Sequence, residues 1–414
     1  MSEWMTAERQ EALRAICDTV VPAIERADDP HGFWARSATD IGTDAAIVEY
    51  LRAMPDVQRE GLLGLIDALG DLGIARSSPQ SREQLLTNVA LLGPQATVGV
   101  AALIGLTLFL TYSLPDPATG QNPMWAQFGY PGPVSAPPSG TKTITPVAPE
   151  GDEVTLDADV VIVGSGAGGG VIAGTLAQAG LNVVVLEAAG YFDESDFNQS
   201  ELWAFQNLYW RGGPTPTADY NISVQAGTTL GGGTTINWTT SLRTPTWVRE
   251  QWAREYGLEG VDGPDFDRHL DAVWQRLSVT DGCSEFNGPT QRLKDGADAL
   301  GWSFRTLTRN ADASRHDPVT AGYLGFGDQS GSKQGTLKTY LQDAFDAGAR
   351  IVVRCRADEV LVEGGRAAGV RATRTDVETG AQTAVTVRAP QVVVAGGSLE
   401  SPALLLRSGI GGCR

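Results

Sequence analysis

Residues 159–187 hold the chain to one kind of fold. The run Asp159-Val-Val-Ile-Val-Gly164-Ser165-Gly166-Ala167-Gly168-Gly169-Gly170 reads as a buried strand, a tight turn and the start of a helix. A second apolar run, Asn182 to Leu186, ends at the acid Glu187. Strand, G-x-G-x-x-G, helix, strand, acid is the order of a unit that binds a dinucleotide. The glycines have separate roles. Gly164 permits the turn, Gly166 lets backbone approach a pyrophosphate, and Gly169 lets the helix lie close to the sheet. Free amides at the helix N-terminus then face phosphate oxygens. Glu187 is placed to accept hydrogen bonds from ribose hydroxyls.

With 414 residues the chain has material for two or three domains, each with its own core. Residues 1–115 read as all-helical. Thr6 caps a helix through Val20 with Leu13, Ile16 and Val20 on one face, and Asp56–Leu69 and Ser81–Leu92 are further amphipathic stretches. Residues 116–150 form a connector rich in Pro and Gly turns. Beyond it come a strand over 159–163, a helix over 168–179 and a strand over 182–186. The short runs Ile351–Cys355, Glu359–Val362, Ala368–Ala372 and Ala384–Arg388 suggest a small antiparallel meander. Gln391–Ala395 reads as a buried parallel strand. It leads through Gly396-Gly397 to a helix over Ser401–Arg407 with Pro402 in its first turn. The fold class is therefore α/β: a doubly wound, Rossmann-like domain with a β-meander, preceded by an all-helical domain.

The net charge of -18 argues against a nucleic-acid partner, since phosphates would be repelled. Cys17, Cys283, Cys355 and Cys413 lie far apart with no C-x-x-C pair. That argues against a disulfide framework or a metal site and suits a reducing compartment. No basic start followed by an apolar run opens the chain, so no signal peptide is expected and the location reads as cytoplasmic. One segment complicates this reading. Gln84 to Pro115 carries no charge, and the largely apolar Ala96–Leu114 is long enough to span a bilayer. A buried helix of the helical domain and a membrane-associated helix both fit.

A second glycine cluster reads Gly227-Thr-Thr-Leu230-Gly231-Gly232-Gly233-Thr234-Thr235-Ile236-Asn237-Trp238. Its backbone can lie against a flat ring or more phosphate, and Asn237 offers a donor and an acceptor. A third motif runs from Gly397-Ser-Leu-Glu-Ser401-Pro402 to Ser408-Gly409-Ile-Gly411. Together the three, in this order, resemble the glucose–methanol–choline (GMC) oxidoreductase family over about residues 155–411. The resemblance implies FAD as cofactor. It implies contacts at Gly164, Ser165, Gly166, Ala167, Gly168, Gly169, Glu187 and Ala188 and at the backbone near Val360. It also implies a flavin ring near Gly231, Gly232, Gly233, Thr234 and Asn237, with Ala395 and Gly396 completing the site. On this reading residues 151–245 begin the FAD-binding domain, 246–340 are a partial substrate or lid region, and 341–414 hold the meander and the return of the FAD-binding domain. Asn237-Trp238-Thr-Thr-Ser-Leu-Arg243-Thr-Pro245 and Gly331-Ser-Lys333-Gln-Gly335-Thr-Leu-Lys-Thr339 further resemble long-chain alcohol oxidases and dehydrogenases. So does a helical extension ending in Asn122-Pro-Met-Trp125 and Tyr130-Pro-Gly-Pro133. Hydride transfer from a primary, long-chain alcohol to the flavin is the implied reaction. A small-molecule alcohol is the implied partner, and a peripheral membrane or electron-acceptor partner stays open.

The catalytic base in that family is a histidine, partnered by histidine or asparagine, beyond the third motif. This chain stops at Arg414, three residues past Gly411, so the expectation is a C-terminally truncated member with an incomplete substrate domain. His31, His269 and His316 offer no convincing replacement, and the catalytic residues are unassigned. Relatives in the subgroup carry cysteines where this chain has Ala321, Leu324 and Asp328. Asp193, Glu194 and Asp196 read as a solvated acidic loop. Trp203, Phe205, Tyr209 and Trp210 form an aromatic patch that suits core packing or a flavin cavity. Two rival readings stay open on the sequence: a non-catalytic flavin-binding or scaffold remnant, and an NAD-dependent dehydrogenase.

Overall fold

Thr6 opens the first helix, its hydroxyl accepting the amide of Arg9 at 3.3 Å and so satisfying one of the free first-turn donors. The computed structural model describes residues 4–54, 56–140, 142–217 and 221–411. The tail 412–414, with Cys413, lies outside them. The chain divides into two units, Met1–Val134 and Ser135–Arg414, the break falling inside the connector.

The first unit holds α1 (Ala7–Val20), α2 (Thr43–Ala53), α3 (Asp56–Asp71), α4 (Pro79–Ala90) and α5 (Pro94–Ser113). Leu13, Ile16, Ile47, Leu51, Leu63 and Ile66 meet in its core with no exposed surface. Arg9 grips both carboxylate oxygens of Asp67 at 2.7 Å, tying α1 to α3. The uncharged helix α5 buries Val100, Leu103, Thr107, Leu110 and Thr111, while Val98 and Leu108 remain exposed. Its buried hydroxyls are satisfied, Thr107 on the Leu103 carbonyl within the helix and Thr111 against Thr43 of α2. The first part of the connector belongs to this unit. Asn122 donates to the carbonyls of Thr111 and Leu114, and the Trp125 indole to that of Tyr112.

The second unit runs β1 (Glu153–Asp157), β2 (Val160–Val163), α6 (Ala167–Gln178), β3 (Val183–Leu186), α7 (Glu201–Leu208), β4 (Thr215–Pro216), β5 (Ser223–Val224), α8 (Gly233–Ile236), α9 (Thr246–Tyr256), α10 (Pro264–Arg276), β6 (Val279–Thr280), α11 (Gly288–Leu300) and β7 (Arg309–Asn310). It continues with α12 (Tyr340–Asp346), β8 (Arg350–Val352), β9 (Cys355–Glu363), β10 (Arg366–Thr375), β11 (Gln382–Arg388), β12 (Gln391–Val394) and α13 (Gly397–Arg407). A parallel sheet has the order β12-β2-β3-β8. Alternate side chains of its strands point to opposite faces. Val160, Ile162, Val183 and Val185 pack on Ala173 and Ala177 of α6 and Leu341 of α12. Val161, Val163, Val184 and Leu186 pack on Val360, Val370 and Val387 of the meander and Leu404 of α13. Helices thus cover one face and the meander the other.

Two local expectations are corrected and one strand is new. Ile351–Cys355 is not one meander strand: Arg350–Val352 pairs in parallel with β3, and Cys355 begins β9. Arg354 between them adopts a left-handed backbone, φ 55°, which turns the chain from one sheet to the other. Strand β1 pairs in parallel with β11, adding a fourth strand to the meander sheet. Helix α13 begins at Gly397, so Pro402 sits in its interior, where its ring nitrogen leaves one helical hydrogen bond unmade.

Candidate functional site

The four residues of β2 are all buried valine or isoleucine, and the chain must turn sharply to leave the sheet. Gly164 makes the turn with φ 97°; a Cβ there would lie 2.5 Å from the Ala395 carbonyl oxygen. Gly166 caps α6, whose first turn carries no acidic residue and no side-chain cap. A Cβ on Gly166 would meet nothing within 4 Å, and Ala167 and Gly168 are exposed. The first amides of α6 are therefore open to an anion. Gly169 is the tight position, where a Cβ would stand 1.9 Å from the Gly164 carbonyl oxygen.

Glu187 follows β3 and is buried, while its neighbour Ala188 is exposed. The carboxylate accepts the Ser165 amide at 3.1 Å, the Ser165 hydroxyl at 2.5 Å and the Ala189 amide at 2.9 Å. Burial pushes its pKa up, and these donors pull the other way.

Ser165 also joins the two glycine clusters. Its Oγ accepts the Gly231 amide at 3.0 Å. A Cβ on Gly232, at φ 54°, would lie 2.9 Å from the Gly166 Cα, so the two loops touch backbone to backbone. Thr336 closes the seam by donating to the carbonyls of Ser165 and Gly231, both at 3.3 Å. Thr234 donates to the Gly231 carbonyl at 2.7 Å. Gly233 and Asn237 are exposed at the open side of this loop, with Asn237 Oδ1 accepting the Thr239 amide at 3.2 Å. Ala395 pairs with the end of β2 through its amide on the Val163 carbonyl, and Gly396 caps α13. The structure thus gathers 164–169, 187–188, 231–237 and 395–396 around one turn. Val360 is buried in β9, and its N–H donates to Ser408 Oγ at 2.8 Å.

An open helix N-terminus, glycines no side chain could replace and a buried acid beside them fit a dinucleotide with an anionic diphosphate and ribose hydroxyls. In the sequence, Gly331–Thr339 is only a mark of resemblance. In the structure this segment supplies Thr336 to the seam, and Gly335 must be glycine because a Cβ would lie 2.6 Å from the Thr234 carbonyl. Gly170 and Gly174 are further tight positions that the fingerprint does not include. A Cβ would lie 2.8 Å from Thr336 at the first and 2.7 Å from the Tyr340 carbonyl at the second.

The remaining candidates fall into place around the site. Asp193 accepts from the Ser195 amide and hydroxyl, Asp196 pairs with Lys142 at 2.8 Å, and Glu194 pairs with Lys338. The acidic cluster is an ordered loop, and among the described residues no group suited to a metal is present. Trp203, Phe205 and Tyr209 pack with Phe197 and Ile236, against the buried side of the second glycine loop. The Tyr209 hydroxyl donates to the Gly325 carbonyl, and the Trp210 indole to Glu400. His31 lies in the first unit and His269 is exposed on α10. His316 lines a cavity of about 370 Å³ with Trp238, Thr239 and Cys283. Cys17, Cys283 and Cys355 are buried free thiols.

The family model described as GMC oxidoreductase matches residues 205–414, and an FAD binding domain matches residues 159–225. Among curated relatives, the chain is 32% identical over 341 residues to long-chain-alcohol oxidase FAO3 of Arabidopsis thaliana, covering 73% of this chain and 45% of that protein. Long-chain-alcohol oxidase FAO4A of the same plant is 35% identical over 256 residues, 62% of this chain and 35% of that one. A GMC-type oxidoreductase of Mycobacterium tuberculosis, Rv0492c, is 34% identical over 346 residues, 82% and 52%. The chain spans about half the length, or less, of these relatives. The crystal structure of pyridoxine 4-oxidase from Mesorbium loti aligns with a TM-score of 0.47 and 20% identity over 61% of this chain and 52% of that one. The glycine seam, the buried acid and both matching domains lead to one conclusion: this chain belongs to the GMC oxidoreductase family, and its cofactor is FAD.

Proposed function

We propose that the chain carries the flavin site of an oxidoreductase that acts on the CH–OH group of a primary, long-chain alcohol. The observation that supports this best is the seam, in which one serine hydroxyl joins Glu187 to the Gly231 loop and makes two motifs one continuous surface. The choice of alcohol rests on the likeness to long-chain-alcohol oxidases. FAD supplies the two-electron acceptor chemistry when bound. The chain's own residues would bind and orient it: the α6 amides would hold the diphosphate, Glu187 the ribose hydroxyls, and Gly231–Gly233 would offer a side-chain-free face to the ring with Asn237 at its edge. No base for the hydroxyl proton is assigned. The FAD domain match favours a flavin over a nicotinamide cofactor.

The test is the visible spectrum of the purified chain with FAD, then with a long-chain alcohol added without oxygen. Flavin bands that bleach with alcohol support the whole reading. Bands that persist leave a flavin-binding protein without alcohol turnover. A chain that takes up no FAD defeats the cofactor assignment.

A second reading concerns location: a cytoplasmic protein in peripheral contact with a membrane through α5. This helix is long and apolar enough to cross a bilayer, and Val98 and Leu108 are exposed on it, with Leu91 and Leu92 exposed just before it. The net charge of -18 would oppose an anionic surface, so zwitterionic vesicles are the right probe. The chain is expected to float with such vesicles, and Leu108→Asp to stay behind. Wild-type protein that remains in the soluble fraction would sink the idea.

A further inference from the structure

Lys333 is buried in the middle of the unit, 5% exposed. Its ammonium donates to the Thr235 carbonyl and to the Leu324 carbonyl, each at 2.7 Å. Thr235 lies in α8, a four-residue helix too short to satisfy its own last carbonyls. Leu324 lies in the 3₁₀ turn Thr320–Phe326, which has the same deficit. A cation at the carbonyl end of a short helix is favoured by the helix dipole as well. Asp328 holds the other end of the residue, taking the Lys333 amide at 2.6 Å. Its remaining lone pairs go to the Ser330 amide and hydroxyl and the Ser332 hydroxyl.

A fully enclosed ammonium is costly to keep, and an apolar side chain of the same length would usually pack there more easily. Its partners say what holds it in place. The Thr235 carbonyl belongs to the loop that meets Ser165 and Gly166, and the Leu324 carbonyl belongs to the segment that backs that loop. We infer that Lys333 is the positioning residue that holds Gly231–Asn237 in its flavin-receiving shape, by clamping these two carbonyls with a protonated amine. This rests on the assignment of the loop to the flavin.

Burial pulls the Lys333 ammonium down to about 7, with Asp328 acting in the opposite direction. Asp193, Glu194, Asp328 and Lys338 line the small cavity beside it, and the Tyr323 hydroxyl next to Leu324 is pushed up by burial. Glu187, joined to the same loop through the Ser165 hydroxyl, is pushed up by burial, so replacing Lys333 alone separates the lysine's part of any pH dependence from that of the acid. As pH rises through about 7 the clamp loses its charge, and FAD affinity should fall. The stability of the FAD-free chain should move the other way. The unfolded chain keeps the lysine proton up to its ordinary value near 10.5 while the folded chain has lost it, so stability rises across that interval.

The experiment is an FAD titration of the full chain by flavin fluorescence from pH 6 to 9, for wild type, Lys333→Met and Lys333→Gln. Circular dichroism confirms that each variant is folded, and the glutamine variant serves if methionine prevents folding. The expected result is wild-type affinity falling about tenfold or more across this range. Each variant should bind about tenfold more weakly at pH 6 and lack the fall near pH 7. Variants that match wild-type affinity overturn the inference. So does a weakened variant that keeps the wild-type pH profile, since that would mark Lys333 as ordinary packing. Wild type that binds no FAD at any pH overturns the flavin assignment, and this inference with it.

Discussion

Gly169→Ala should destabilise the second unit by about 3 kcal/mol or more and leave it with no measurable uptake of FAD. The added Cβ would stand 1.9 Å from the Gly164 carbonyl oxygen and 3.2 Å from the Ala395 Cβ. Neither neighbour is the free end of a flexible side chain. The carbonyl belongs to the turn itself, and Ala395 is tied by its amide to the end of β2. Relief would require α6 to move away from the turn, carrying its first amides out of reach of the diphosphate. Gly168→Ala is the control on the same helix. Nothing lies within 4 Å of its Cβ, and alanine is the better helix former by roughly 0.5–1 kcal/mol. Urea midpoints of the two variants, with an FAD titration of Gly169→Ala against wild type, decide the matter. A Gly169→Ala chain as stable as the Gly168→Ala chain would mean that the close approach at this turn is not real.

Glu187→Gln should lower stability by about 1–3 kcal/mol and weaken FAD binding about a hundredfold. One carboxylate oxygen accepts two donors of Ser165, and the other accepts the Ala189 amide. Glutamine has only one acceptor atom. Whichever way its amide turns, an NH₂ faces a buried backbone N–H, and a buried unsatisfied donor costs about 1–3 kcal/mol. Loss of the Ser165 hydroxyl contact would also loosen the Gly231 amide, so both glycine loops lose their shared anchor. A pH signature accompanies this. The folded pKa of Glu187 lies above its unfolded value, so its contribution to stability is complete below the unfolded value and is lost as pH rises through the folded one. Thermal unfolding of the FAD-free chain should show this loss, and Glu187→Gln should lack it. A Glu187→Gln chain that binds FAD within about threefold of wild type would show that the acid does not hold the ribose.

The central turn and its acid were legible because their signal is local: a strand, three glycines at fixed spacing and a second strand ending in glutamate. The first helix was legible for the same reason, its cap and apolar face lying close together along the chain. Parts set by distant partners were not. Strand β1 pairs with β11 from the far end of the chain, and nothing in Glu153–Asp157 announces that partner. The run from Ile351 to Cys355 looks like one strand because its break rests on Arg354, a residue type that seldom adopts a left-handed backbone. Pro402 suggests a helix start, yet the helix has already begun at Gly397. Lys333 is the sharpest case. A lysine between a serine and a glutamine reads as surface, and only the converging carbonyls of Thr235 and Leu324 explain why it is enclosed.

The order β12-β2-β3-β8 has a consequence for the chain while it is being made. Both outer strands of the parallel sheet come from residues 350–394, whereas the inner pair is complete by Leu186. At about 5–20 residues per second, translation leaves the β2–β3 pair without its neighbours for roughly ten to forty seconds. Throughout that interval two apolar edges stand open to any passing strand. The nascent polypeptide, more than the finished protein, is therefore the species most exposed to aggregation, and slower growth at low temperature or added holdase chaperone should raise its soluble yield.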